Sequence, residues 1–339
     1  MNKQKTAILL MNVGSPDKPS LWTVFRYLSK FLNDEYVIDL PWLMRKILVN
    51  LVIIPFRVSK STRLYKKVWT EDGSPLIYHS NQMRDHLQAI LDQNYKVFLG
   101  MRYGNPGYKA AIKKIKQEKF ERLIVFTLFP QYAMSTTGTA VKAVLKESAR
   151  QMTGIKPLII SQFYNHPQFI NAFATQAEQY DTNSYDHIVF SYHGLPIRQI
   201  EKCHPEIKVG DCNCLYSMPG HGHNCYRATC YATTRLLAEK MKLNPDKYTT
   251  AFQSRLSKNW LEPFTDKVLL SKLKEGNIRI LVIAPSFVTD CLETLYEIKQ
   301  EYGKIFGEAG GEKLQLVESL NSNQIWVIAM KKIIMDNTP

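Results

Sequence analysis

The apolar positions of this chain fall into short runs divided by turn residues, and the runs repeat in kind. Residues 6–13 (TAILLMNV) form one such run, stopped by Gly14-Ser15-Pro16. Continuous apolar runs of this length predict strands buried on both faces, as in parallel sheets. The same reading gives strands over 97–101, 123–128, 156–161, 187–192, 280–284 and 314–317. Between them the spacing shifts to the three-and-four interval of helices. Residues 20–32 bring Trp22, Phe25, Leu28 and Leu32 to one side, and a last helix is expected over 324–335. Ser135-Thr136-Thr137-Gly138 caps the helix after 123–128. Strand, loop and helix alternate, which predicts α/β architecture with parallel sheets covered on both faces.

The pattern restarts midway. His193-Gly194-Leu195-Pro196 closes 187–192 much as Gly14-Ser15-Pro16 closes 6–13, and Ala284-Pro285-Ser286-Phe287 echoes Leu128-Phe129-Pro130-Gln131. The expectation is two similar lobes, 1–155 and 156–307, with a cleft between them and a tail, 308–339, packing back on the first. A chain of 339 residues suffices for two such cores.

After the strand 280–284 comes a helical stretch with no Gly or Pro until Gly303. Glu293, Glu297 and Glu301 recur on it every four residues, so an α-helix would line them up, with Asp290 just ahead. Like charges at this spacing cost the helix a few tenths of a kcal/mol per pair. A solvated face would explain the row. Its start at the carboxyl end of a buried strand, where ligands bind in open α/β sheets, argues for a site. His193 ends another buried strand. A neutral imidazole there can accept a proton or bind a metal, although a lone histidine is more often structural. Serine-triad, Walker and dinucleotide signatures are absent.

Region 36–56 is unusually apolar, with Trp42, Leu43, Ile47, Leu48, Leu51, Val52 and Ile54. Two readings stand: a core helix, or an exposed lip inserting into lipid headgroups beside flanking cations. The run 47–56 is too short to span a bilayer, and no signal peptide is visible. A cytosolic protein is expected, touching the inner face of an anionic membrane peripherally. The formal charge of +14 favours anionic partners. Nucleic acid is not expected, for want of zinc-finger spacing, RNP-type aromatics or a basic tail.

Five of the six cysteines lie at 203, 212, 214, 225 and 230; the sixth is Cys291. In a cytosolic chain such clustering points to metal more than to disulfides. Four thiolates suit zinc or [2Fe–2S], with His204, His221 and His223 keeping zinc in play. Reduced thiols in a surface insert are the third reading. Cys230 falls within a helical stretch and is the expected spare.

The stretches LLMNVGSP, SPLIYHSNQM, MRYGNP, LFPQYAMSTTGTA, FSYHGLPIR and APSFVTDCLETLYEI together resemble the ferrochelatases, in family order, from about Thr6 to Trp326. The resemblance implies two Rossmann-like lobes of the class II chelatase kind, with the active site in the cleft between them. It implies insertion of Fe²⁺, the substrate metal, into protoporphyrin IX; the alternatives are a coproporphyrin ferrochelatase and a non-catalytic tetrapyrrole or metal carrier. His193 and Glu293 match the catalytic pair; with them Glu297 and Glu301, the acidic ladder proposed as a metal route or proton exit, complete the expected metal site, on a helix that family members wind with π-type turns. Arg57, Lys60, Tyr65, Ser74, Arg102, Tyr103, Trp260, Phe287 and Asp290 match porphyrin-binding positions. Some members carry a [2Fe–2S] cluster, here assigned to Cys203, Cys212, Cys214 and Cys225, with Cys230 as alternative fourth ligand. Cys291 stands where some members have a second histidine.

Overall fold

In a computed structural model, residues 5–338 are described. Residues 1–4, the start of the expected first lobe, and 339, the end of the expected tail, lie outside them. By internal packing the chain forms two units. Unit 1 comprises Met1–Phe129, Ala133–Gln162 and Ser322–Pro339; unit 2 comprises Pro130–Tyr132 and Phe163–Asn321.

Among the described residues each unit holds one four-stranded parallel sheet. Unit 1 contains β1 (Thr6–Asn12), β2 (Tyr95–Met101), β3 (Arg122–Thr127) and β4 (Leu158–Ile160) in the order β2-β1-β3-β4. Unit 2 contains β5 (His187–His193), β6 (Tyr248–Gln253), β7 (Arg279–Ile283) and β8 (Lys313–Leu316), in the order β6-β5-β7-β8. The two orders are the same, so the repeat seen in the strand endings is a repeat of topology. Parallel sheets of this kind are two-sided, and their central strands are buried accordingly: every residue of β1 is buried. In unit 1, Leu9, Val125, Ile112 and Val144 pack into one core; in unit 2, Val189, Val282, Ile298 and Phe306 do so.

Two boundaries differ from the expectation. The strand expected to open the second lobe at 156 is β4, which pairs with β3 and completes the first sheet. Residues 308–339 are not one tail: β8 pairs with β7 in unit 2, while helix Gln324–Asp336 belongs to unit 1, where it packs on helix Pro75–Ile90. Trp326, fully buried, anchors it.

At β1's end the turn needs glycine. Gly14 sits at φ +104°, and a Cβ there would lie 1.7 Å from the Tyr103 carbonyl oxygen. Region 36–56 becomes helical at Trp42, after a turn, with one stretch, Leu48–Ile53, wound with π-type turns. It is not a core helix. Trp42 is 64% exposed and Phe56 83%, and Leu43, Met44, Ile47, Leu51 and Val52 are exposed with them. No helix among the described residues is long and apolar enough to cross a membrane.

Candidate functional site

In unit 2 the order β6-β5-β7-β8 reverses direction between β5 and β7, and ligands in such sheets bind beyond the carboxyl ends at that point. His193 is the last residue of β5. Glu293 opens helix Glu293–Tyr302, which follows the loop after β7. That helix is wound with π-type turns throughout.

The His193 ring is held from several sides. Its Nδ1 lies 2.6 Å from the Gly194 carbonyl oxygen, so Nδ1 carries the proton and Nε2 offers the lone pair. Trp260 and Phe287 flank it, with ring centroids 6.4 and 6.3 Å away. Tyr226 donates to the His193 carbonyl at 2.9 Å. Across the sheet His193 pairs with Gln253. The Gly194 N–H bonds the Gln253 carbonyl, and a Cβ on Gly194 would stand 2.6 Å from that oxygen, so the strand end admits no larger residue.

The acidic groups behave differently from one another. Burial, with the charge and hydrogen bond of Glu293, pushes the Cys291 thiol well up, so it stays protonated. Glu297 accepts from the Ser254 amide and the Tyr302 hydroxyl, both at 2.7 Å. Glu301 is exposed. Asp290 is buried and accepts from Thr294 at 3.0 Å and Asn321 at 2.8 Å, joining 288–294 to the segment after β8.

The sequence-predicted residues of unit 1 fall into two groups. Arg57, Lys60 and Tyr65 lie on helix Ile54–Val68, with both cations exposed, and buried Ser74 precedes helix Pro75–Ile90. Arg102 and Tyr103 converge on a residue that sequence reasoning missed, Asp34. Its Oδ2 accepts from the Arg102 guanidinium at 2.6 Å, from Tyr103 at 2.8 Å and from Thr139 at 2.6 Å. Burial works to raise this carboxyl. The hydrogen bonds from Thr139, the Tyr36 amide and Tyr103, with the charge of Arg102, outweigh it and hold the group below the ordinary carboxylate range.

The clustered cysteines are free thiols. Cys212 Sγ lies 3.4 Å from His221 Nε2, Cys225 Sγ lies 3.4 Å from His204 Nε2, and the two imidazoles are 4.7 Å apart. Cys214 is pushed up to about 12 by burial, against the opposing charge of Arg227, whose Nη1 donates to its sulfur at 3.2 Å; Cys212 is hydrogen-bonded to it. Cys225 feels Cys203 and Cys212 in turn. Cys230 is fully buried and bonded to Tyr226. Among the described residues no group of three or more His, Cys, Asp or Glu side chains is arranged to hold a metal ion.

Solved structures share this architecture at low identity. SirB from Bacillus subtilis with Fe³⁺ matches at TM-score 0.57 and 9% identity, over 98% of this chain and 95% of that one. The sirohydrochlorin chelatase SirB from Bacillus subtilis subspecies spizizenii, in complex with cobalt, matches at 0.56 and 10%, with the same coverage. The fold is thus a chelatase fold. Sequence narrows it: a ferrochelatase family model matches residues 5–338. Ferrochelatases of Coxiella burnetii (strain Dugway 5J108-111) are 42% identical over 98% of this chain and 94% of theirs, and those of Legionella pneumophila (strain Lens) 40% over 97% and 98%. The chain belongs to the ferrochelatase family, the metal-insertion lyases.

The Asp34 network sets a pH dependence. A depressed folded value means that Asp34 contributes stability in full above the unfolded value of about 3.9, and that this is lost as pH falls through the lower folded value. Urea midpoints of the wild-type and Asp34→Asn proteins should differ at neutral pH and converge in acid. A gap that stays constant down to acid unfolding overturns the assignment.

Proposed function

We propose that this protein inserts Fe²⁺ into protoporphyrin IX, with His193 accepting pyrrole protons at Nε2 and Glu293 drawing the dication and the released protons. The observation that carries this reading is the tethered imidazole at the end of β5, next to the strand that leads into Glu293. Metallation requires removal of two pyrrole protons and of the metal's water. A bent macrocycle presents its nitrogens better than a flat one, at a strain of about 1–5 kcal/mol offset by remote contacts. Trp260 and Phe287 offer aromatic surface beside His193 for such a ring. In unit 1, Arg57 and Lys60 suit the propionates, and Tyr65, Ser74, Arg102 and Tyr103 are further porphyrin-binding groups. Asp290 acts through the loop it fixes.

The exposed apolar side chains of unit 1, Trp42 and Phe56 foremost, are proposed to enter lipid headgroups, with Arg57 and Lys60 meeting anionic lipid. This lipid contact favours the less acidic protoporphyrin over coproporphyrin.

For the cysteines we propose a [2Fe–2S] centre on Cys203, Cys212, Cys214 and Cys225, with Cys230, turned to Tyr226, as the alternative ligand. The donor set fits: soft thiols that feel one another, three buried and Cys203 half-buried, next to a fixed guanidinium that offsets thiolate charge. Such a centre would supply one-electron redox chemistry. Zinc on the same thiols, with His204 or His221, is the alternative that the Cys–His contacts favour.

Three outcomes are expected. His193→Ala should cut Fe²⁺ insertion at least about a thousandfold while porphyrin fluorescence quenching stays within twofold; retained turnover overturns the assignment, and faster turnover of coproporphyrin overturns the substrate. The protein should sediment with phosphatidylglycerol vesicles and lose most of that binding in Trp42→Ser/Phe56→Ser; no sedimentation, or an unaffected variant, overturns the lipid contact. Protein purified anaerobically should be brown, with iron and sulfide that Cys214→Ser loses. Colourless protein with one zinc would favour the alternative, and colourless metal-free protein would overturn both.

A further inference from the structure

We infer that Glu297 is a positioning residue, a saturated clamp on the end of β6, and not a ligand for the incoming metal. The inference rests on the reading that metal insertion runs at His193 and Glu293. An ionised carboxylate has about four lone-pair positions. Here Oε1 accepts from the Ser254 N–H and from the Tyr302 hydroxyl, each at 2.7 Å. Oε2 accepts from the Ser254 hydroxyl and, at a longer 3.4 Å, from Gln253 Nε2. A cation arriving at Glu297 would have to displace one of these donors, three of them short.

The winding of the helix makes the clamp. Tyr302 follows Glu297 by five residues. In an α-helix five residues turn about 140° past a full circle, which would carry the hydroxyl away from the carboxylate. The π winding of Glu293–Tyr302 brings residues five apart onto the same side. Burial first, and then the Glu297 charge, pushes the Tyr302 hydroxyl up, so it keeps its proton and remains a donor.

What the clamp holds is the geometry of the reacting pair. Gln253 pairs with His193 across the sheet, and its carbonyl accepts from Gly194. Its side chain accepts from Ser191 at 2.8 Å and donates to the Glu293 carbonyl at 3.3 Å. Segment 253–254 therefore touches both the strand end that carries His193 and the helix that carries Glu293. Glu297 fastens that helix to the segment. The acidic row is accordingly interrupted: its middle member is committed to the fold, and the partly buried Glu293 and the exposed Glu301 are not linked by a vacant carboxylate.

The test compares wild type with Tyr302→Phe, Glu297→Gln and their combination in steady-state metal insertion. Tyr302→Phe should lower kcat about three- to tenfold, and Glu297→Gln about tenfold or more, with KM for the metal within twofold in both. Because Tyr302 acts through Glu297, adding it to Glu297→Gln should cost less than a further twofold. A tenfold rise in metal KM at unchanged kcat, or an equal cost of Tyr302→Phe in both backgrounds, overturns the clamp. Should Glu297→Gln fail to fold, Ser254→Ala, which removes one donor, takes its place. Calorimetric Zn²⁺ binding separates this from failure of the functional reading, because it needs no turnover. Unchanged affinity in Glu297→Gln supports the clamp even if the wild type inserts no metal, and a tenfold loss refutes it.

Discussion

The register of β5 against its two neighbours is the constraint on which the rest of unit 2 depends. β5 is hydrogen-bonded to β6 on one edge and β7 on the other, so it cannot slide without breaking both ladders. Side chains alternate along a strand, and a slip of one residue would turn His193 away and present Tyr192, now fully buried, in its place. Gly194 reinforces the register, since its missing side chain lets the turn lie against Gln253. The imidazole is thus aimed by backbone hydrogen bonds before any side-chain contact is counted.

Carboxylates in this protein divide by whether their lone pairs are already used. Asp34 gathers Arg102, Tyr103 and Thr139; Asp290 gathers Thr294 and Asn321; Glu297 gathers Ser254 and Tyr302. Each is satisfied from within its own unit, as a carboxylate removed from water must be. Glu293 differs in having a protonated thiol, Cys291, as neighbour. A thiol is a weak donor, and a carboxylate bonded to one gives up little when it turns to a cation. Chemical availability here depends on the strength of the partners more than on exposure.

Much of this was legible in the chain. Continuous apolar runs marked β1, β3, β5 and β7, because strands buried on both faces leave that imprint. The turn motifs after β5 and β7 marked His193 and Glu293. What was missed was missed for physical reasons. β6 reads YTTAFQ and lacks the continuous apolar run of the central strands, because its threonines are satisfied by partners: Thr249 bonds His187 and Thr250 bonds Thr234. With it went Gln253 and Ser254. The four-residue spacing of the carboxylates, read on α geometry, hides the pairing of Tyr302 with Glu297, although the resemblance implies π-type turns. Asp34 meets Arg102 across 68 positions of sequence, which no local pattern reports. The break between units was misplaced because β4 is only three residues long and its apolar run looks the same in either sheet.

The return of helix Gln324–Asp336 to unit 1 makes that unit discontinuous, with its buried Trp326 following every strand of unit 2 along the chain. Chains emerge from the ribosome amino end first, and domains tend to fold as units once complete. Every strand of unit 2 is therefore available before unit 1 has its closing helix. Unit 1, although its first strand is made first, must wait for the segment that packs on helix Pro75–Ile90, so the unit begun second is the first to be complete.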